Sequence, residues 1–200
     1  MSDVIDFYFD FSSTYSYVAH QDIISLTRKY DLVLNWRPIS LGAIFHQQGH
    51  SLPKPGSPKQ KYLWHDVQRA ADQAGLSFRW PDIFPVNSIP AARGAYWIKD
   101  IMPEKLEAYI ASVFTTTFAT DHDIGQPETL QDIAKNLGLD DAAYMAALKD
   151  DVYKDRLKQE TAAAQTRGVF GAPTFCFGDE MFWGADRLAA LDSFITKQKA

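Results

Sequence analysis

Sulfur is scarce in this chain of 200 residues, which holds four methionines and one cysteine, Cys176. A single thiol excludes an internal disulfide framework and any Cys-x-x-Cys redox pair. Basic charge is also short: 20 Lys and Arg stand against 25 Asp and Glu, for a formal net charge of −5. With no arginine-rich arm or clustered basic face, that balance argues against general affinity for nucleic acid or an anionic membrane. No apolar run approaches the length needed to cross a bilayer. The opening residues, "MSDVID", lack the basic flank and apolar core of a secretory signal, so a cytoplasmic location is expected. Repeats and low-complexity tracts are missing as well. Metal ligands at useful spacing are equally short. His46 and His50 stand four apart, but Gln47, Gln48 and Gly49 between them supply no carboxylate, and both read as exposed loop histidines.

What is present is an ordinary globular composition, 46% hydrophobic and 22% charged, in a length that suits one domain. "VIDFYFDF" (4 to 11) alternates and is rich in aromatic residues, which predicts a strand. "SYVAHQDIISLTRKY" (16 to 30) places Val18, Ile23, Ile24 and Leu26 near one helical face, and "LVLNWRPI" (32 to 39) reads as a second strand. A short helical crossover between two strands favours a parallel pair with a right-handed connection. "GHSLPKPGSPK" (49 to 59) is a loop. Helices are expected near 59 to 74, 88 to 100, 103 to 119, 127 to 137, 140 to 149 and 153 to 167, bounded by Pro, Gly or Asp. The end returns to strand: "APTFCF" and "EMFW" flank Gly178-Asp179, a hairpin signal, before the amphipathic "GADRLAALDSFITKQ". The order β-α-β, helical insert, β-β-α is that of a thioredoxin-like α/β domain. Its thioredoxin-like parts are about 1–42 and 169–200, and its helical insertion is about 43–168.

Three stretches invite a chemical reading. Ser12, Ser13, Thr14 and Ser16 crowd the corner between the first strand and helix, where hydroxyls ordinarily cap orphan N–H groups. A helix start also stabilises a bound anion. "VFGAPTF" puts Pro173 at the mouth of a strand, where it donates nothing to a ladder. "FWGADRL" puts Asp186 and Arg187 in a first helical turn.

With the "PKQKYLWHDVQR" and "FPVNSIPAARG" stretches, these motifs closely resemble the 2-hydroxychromene-2-carboxylate isomerases. Those enzymes are relatives of kappa-class glutathione transferases in the DsbA-like thioredoxin superfamily. The resemblance runs over nearly the whole chain. It implies that Ser13 occupies the place of the first active cysteine of disulfide oxidoreductases, and Ser16 that of the second. With both thiols replaced, the site suits a thiol from outside, glutathione. The resemblance further implies that Ser13 hydrogen-bonds the glutathione sulfur, and that Ala172 pairs with its cysteinyl backbone. It implies too that the Ala172–Pro173 bond is cis and faces Ser13. The Ala185-Asp186-Arg187 turn then receives the γ-glutamyl end, and Ser12 and Ser16 serve the backbone. Thr14 stands where many relatives have proline, and Ala185 where many have asparagine, which removes one side-chain contact to glutathione.

The helical insertion is expected to supply the substrate pocket, with Lys59, Tyr62, Asn87 and Arg93 as candidates. Each also has a plain reading: a solvated lysine, a packed tyrosine, an asparagine capping the helix at Ser88, a surface arginine. Trp64 and Trp97 suit core or interface, and Phe7, Phe9 and Phe11 suit the core. The activity implied is glutathione-dependent isomerisation between 2-hydroxychromene-2-carboxylate-type and trans-o-hydroxybenzylidenepyruvate-type compounds, as in naphthalene-type degradation. The substrate is then a small aromatic 2-oxo acid, and the protein a homodimer. The alternatives are a kappa-like glutathione transferase or peroxidase, and a non-catalytic glutathione-binding protein.

Overall fold

A computed structural model describes residues 3–120 and 122–199. Strand β1 (Val4–Phe9) lies inside a four-stranded sheet of order β2-β1-β3-β4. It pairs in parallel with β2 (Val33–Pro38) and antiparallel with β3 (Thr174–Phe177), which pairs antiparallel with β4 (Glu180–Trp183). The alternation of β1 turns Ile5, Phe7 and Phe9 inward to full burial. Phe7 stacks on Phe175 at 5.0 Å between ring centroids, and Phe9 meets Phe11 edge to face at 5.2 Å. Burying each such ring contributes roughly 1.5–3 kcal/mol, so the aromatic strand also anchors the core.

Helix α1 (Thr14–Tyr30) is the crossover. It ends at Asp31, whose φ of 52° is left-handed and whose N–H donates to the carbonyls of Thr27 and Arg28. This is the usual way to satisfy the orphan carbonyls of a last turn.

The insertion follows as α2 (Leu41–Gln47), α3 (Pro58–Gln73) and α4 (Ile89–Ile101), then a 3-10 turn (Pro103–Lys105) and α5 (Leu106–Phe118). It closes with α6 (Pro127–Asn136), α7 (Asp141–Ala147) and α8 (Asp151–Thr166). Ser57, Asp140 and Asp150 cap α3, α7 and α8 through their side chains, and proline opens α3, α4 and α6, as expected for first turns.

Helix α2 corrects the loop reading of His46. His46 belongs to it, while His50 follows it, and both are exposed as expected. Only Ile44 of this short helix is buried, so no apolar period announces it. Trp97 is core, and Trp64, 42% exposed, stacks on Trp80 at 4.8 Å.

The chain returns through β3, turns at Gly178 (φ 61°) and forms β4. A 3-10 turn (Ala185–Arg187) then leads into α9 (Leu188–Lys199), which buries Leu191 and Ile195. An ion cluster ties α8 to the sheet: Asp6 accepts from Asn35 (2.6 Å), Arg37 (3.1 Å) and Arg167 (2.5 Å). Arg37 reaches on to Glu160 at 2.8 Å. Among the described residues no helix is long and apolar enough to cross a membrane.

Candidate functional site

The corner after β1 is built on a buried carboxylate. Asp10 Oδ1 accepts from the N–H and the hydroxyl of Ser12, both at 2.8 Å, while Oδ2 accepts from Leu41 N–H at 2.7 Å. One side chain thereby fixes the entry to α1 and the start of α2. Ser13 is the N-cap of α1, with φ −85° and ψ 112°. Its Oγ accepts from Ser16 N–H at 3.1 Å and donates to the carbonyl of Ala172 at 3.2 Å. Ser12 and Ser16 depart from the expected division of labour. The Ser12 hydroxyl serves the Asp10 carboxylate rather than a peptide group. The Ser16 hydroxyl is buried without a partner among the described residues, although its N–H is the group that Ser13 caps.

The Ala172–Pro173 bond is cis. Here the start of β3 lies against the start of α1, and Ser13 and Ala172, 159 positions apart, share one hydrogen bond. Beside this junction opens a cavity of about 730 Å³. Ala172, Pro173, Ala185, Asp186 and Arg187 all line it, joined by Tyr62 from α3. Ser13, 8% exposed, lies under Ala172 and is not in that lining.

Two glycines make room for the walls. A Cβ on Gly171 would sit 2.5 Å from the Trp183 ring nitrogen, and one on Gly184 would sit 2.5 Å from an Asp186 oxygen. Gly184 also has φ 108°, a conformation that side chains rarely adopt. Its N–H donates to the Pro173 carbonyl at 2.9 Å, which seats the 185–187 turn over the cis bond. Asp186 and Arg187 form an exposed ion pair at 3.3 Å.

The remaining candidates lie elsewhere. Lys59 is exposed near the start of α3. Asn87 Oδ1 accepts from Ile89 N–H at 3.3 Å and so caps α4. Arg93 donates to the Leu148 carbonyl at 3.1 Å, joining α4 to the end of α7, and its buried Nε has no partner among the described residues. None of the three lines the cavity.

Several lining residues were not foreseen. Tyr15 Oη donates to Asp66 Oδ2 at 2.5 Å, and Arg69 donates to the other Asp66 oxygen at 3.1 Å. The Tyr15 hydroxyl and, against burial, Arg69 hold the Asp66 carboxyl below its usual range. Burial and then Asp66 push the Tyr15 phenol up, so it stays a donor. A signal existed for part of this set. Tyr62, Asp66, Arg69 and Gln73 recur at helical spacing along α3 and form one stripe down the cavity wall.

The chain matches the model of the DsbA-like thioredoxin domain over residues 4–196. It is 32% identical to a 2-hydroxychromene-2-carboxylate isomerase of Pseudomonas putida, over 95% of this chain and 93% of that protein. A solved 2-hydroxychromene-2-carboxylate isomerase, also 32% identical, superposes with a TM-score of 0.87 and covers 98% of this chain and 95% of its own. Glutathione S-transferase kappa 1 of Rattus norvegicus is 22% identical over 94% of this chain and 88% of that protein. On this agreement of fold, motif and relatives, the chain belongs to the DsbA-like thioredoxin family and, within it, to the 2-hydroxychromene-2-carboxylate isomerase family.

Proposed function

We propose that the protein is an isomerase that uses glutathione to interconvert the ring-closed hydroxychromene carboxylate and the open trans-benzylidenepyruvate form of an aromatic substrate. One observation carries the reading: the Ser13 hydroxyl, at the N-terminus of α1, already donates to the carbonyl before Pro173, at the edge of a cavity lined by charged and aromatic groups. On binding, that hydroxyl turns from the Ala172 carbonyl to the glutathione sulfur, and the freed carbonyl accepts the cysteinyl N–H. Asp186 meets the γ-glutamyl ammonium. The names of the relatives support both halves of the proposal: isomerase in one, glutathione in the other.

The energetics suffice without a general base. A thiol of pKa about 8.5 is mostly protonated at neutral pH. Lowering it by ~2 units requires about 2.7 kcal/mol of preferential thiolate stabilisation. A hydrogen bond to a charged sulfur supplies roughly 1.5–3 kcal/mol, and the helix terminus adds about 0.3–1 kcal/mol, up to ~2 when partly buried.

The ring-closed form first opens: its C2–O bond to the ring oxygen breaks, the 2-hydroxyl becomes the 2-oxo group, and its proton passes to the phenolic oxygen, giving the cis open form. The thiolate then adds to the conjugated system, forming a carbon–sulfur bond while the π electrons move onto the 2-oxo group as an enolate. The former double bond is then single and rotates. Collapse of the enolate re-forms the double bond and expels the thiolate, so glutathione returns unchanged.

The test follows substrate absorbance and free thiol together, with trans-o-hydroxybenzylidenepyruvate and glutathione as reactants. Turnover at constant thiol is expected. Loss of thiol in step with substrate would make the protein a kappa-like transferase, and no turnover would make it a binding protein. Ser13→Ala should abolish the ultraviolet thiolate band of bound glutathione at neutral pH, with a stability loss of only about 0.5–2 kcal/mol for the cap. Coinciding bands in the two proteins would leave Ser13 a cap and overturn the mechanism.

A further inference from the structure

A second cavity lies at the β2 edge of the sheet, across from the one beside β4. At the start of β2 Val33 N–H, and just past its end Ile39 N–H, donate inward, to the Asp3 and Phe9 carbonyls. Peptide groups alternate along a strand, so Leu34, Trp36 and Pro38 direct theirs away from β1. Side chains take two of those outward carbonyls: Tyr96 Oη donates to Pro38 O at 2.6 Å, and Lys99 Nζ to Trp36 O at 3.1 Å. Lys99 also donates to Asn35 Oδ1 at 2.7 Å. An ammonium has three protons, so one is left over. Beside it on the same edge is the Trp36 N–H, which the alternation of peptide groups directs away from β1.

These two donors border a cavity of about 650 Å³, walled by Val4, Val33, Leu34 and Leu106. That is within the usual range of a small-molecule site, and Val33, 60% exposed, leaves it open to solvent. Burial and the nearby Arg37 push the Lys99 amine down, with Glu160 and Asp6 pushing back. An ammonium so placed gains from one further anion. The rim bounds the charge of the occupant. Glu107 is paired with Arg28 at 2.7 Å, whereas Glu104 is exposed at the mouth, so a second negative charge would be repelled there.

We propose that this edge cavity binds a small monocarboxylate with a flat apolar body, an arylcarboxylate, whose oxygens accept from Lys99 Nζ and the Trp36 N–H. The site stands apart from the proposed reaction and does not depend on it.

The test is a titration of the full-length protein with benzoate, read from backbone amide chemical shifts. Saturable shifts at Leu34, Asn35 and Trp36 are expected in the wild type. Lys99→Met should weaken that binding at least about tenfold, and Glu104→Gln, a change at an exposed position, should tighten it about twofold. The proposal is overturned if those amides do not move in the wild type, or if the shifts confine themselves to Tyr62, Ala172 and Asp186. It is equally overturned if affinity at the edge is unaltered in Lys99→Met or in Glu104→Gln.

Discussion

Ser13 and Ser16 stand one turn apart at the head of α1, yet only Ser13 has partners for its hydroxyl. A buried, unsatisfied hydroxyl costs about 1–3 kcal/mol. Ser16→Ala is therefore expected to leave glutathione binding unchanged and to raise stability by about 1 kcal/mol, read from the urea midpoint. A destabilised variant would mean that Ser16 has a bond in solution. Asp186 makes a different case. Its carboxylate is exposed and paired with the neighbouring Arg187, so Asp186→Ala should barely alter folding. It should nevertheless weaken glutathione by about 1.5–3 kcal/mol in calorimetry, through loss of a charge-assisted contact. The Ser13 corner and the 185–187 turn were legible because capping and turn residues act on neighbours in sequence. Tyr15 and Asp66 were not, since their bond spans 51 positions and a tyrosine on a helix reads as packing.

Among the elements, α8 is tied to the sheet through charge, with Glu160 accepting from Arg37 of β2 at 2.8 Å. Burial alone would raise the Asp6 carboxyl, but Arg167, Arg37 and Asn35 outweigh it and hold it below the usual carboxylate value. A depressed carboxylate stabilises the fold fully above its unfolded pKa of about 3.9 and loses that contribution as pH falls through the folded value. Asp6→Asn is expected to cost about 1–3 kcal/mol near neutral pH and to flatten the acid limb of the stability profile below about pH 4. An unaltered limb would show that the cluster is loose in solution. The helices of the insertion were legible from their prolines and acidic caps, which set boundaries locally. Helix α2 was not, because its position depends on Asp10 reaching Leu41 across 31 residues, a contact without trace in the local pattern.

For the molecule as a whole, the order of strands and helices was legible, since a parallel pair, a hairpin and a closing helix leave few ways to assemble one sheet. The two cavities were not, because each is made where distant segments meet. Global stability also carries a histidine signature. His20 is buried, bonds through Nδ1 to the Tyr17 carbonyl and stacks on the Tyr17 ring at 5.5 Å. Burial lowers its pKa, against smaller opposing effects of that carbonyl and Asp22. As pH falls below about 6.5 the unfolded chain takes up a proton that the folded one refuses, so stability declines until the folded pKa is reached. Unfolding curves at about pH 7.5 and about pH 5.5 should differ in wild type and converge in His20→Gln. Glutathione at 100 times its dissociation constant should add about 2.7 kcal/mol, or roughly 5–11 °C in Tm for a domain of this size.

Cys176, described above as the sole cysteine, sits in β3 at 2% exposure, and burial pushes its thiol up. The native protein is therefore silent towards alkylating and disulfide-exchange reagents, which attack thiolates that they can reach. Any reactive sulfur titrated in its presence belongs to the ligand alone. The folded chain thus gives a low background for counting glutathione in the proposed reaction, and a slow rise in colour from protein without glutathione would report unfolding.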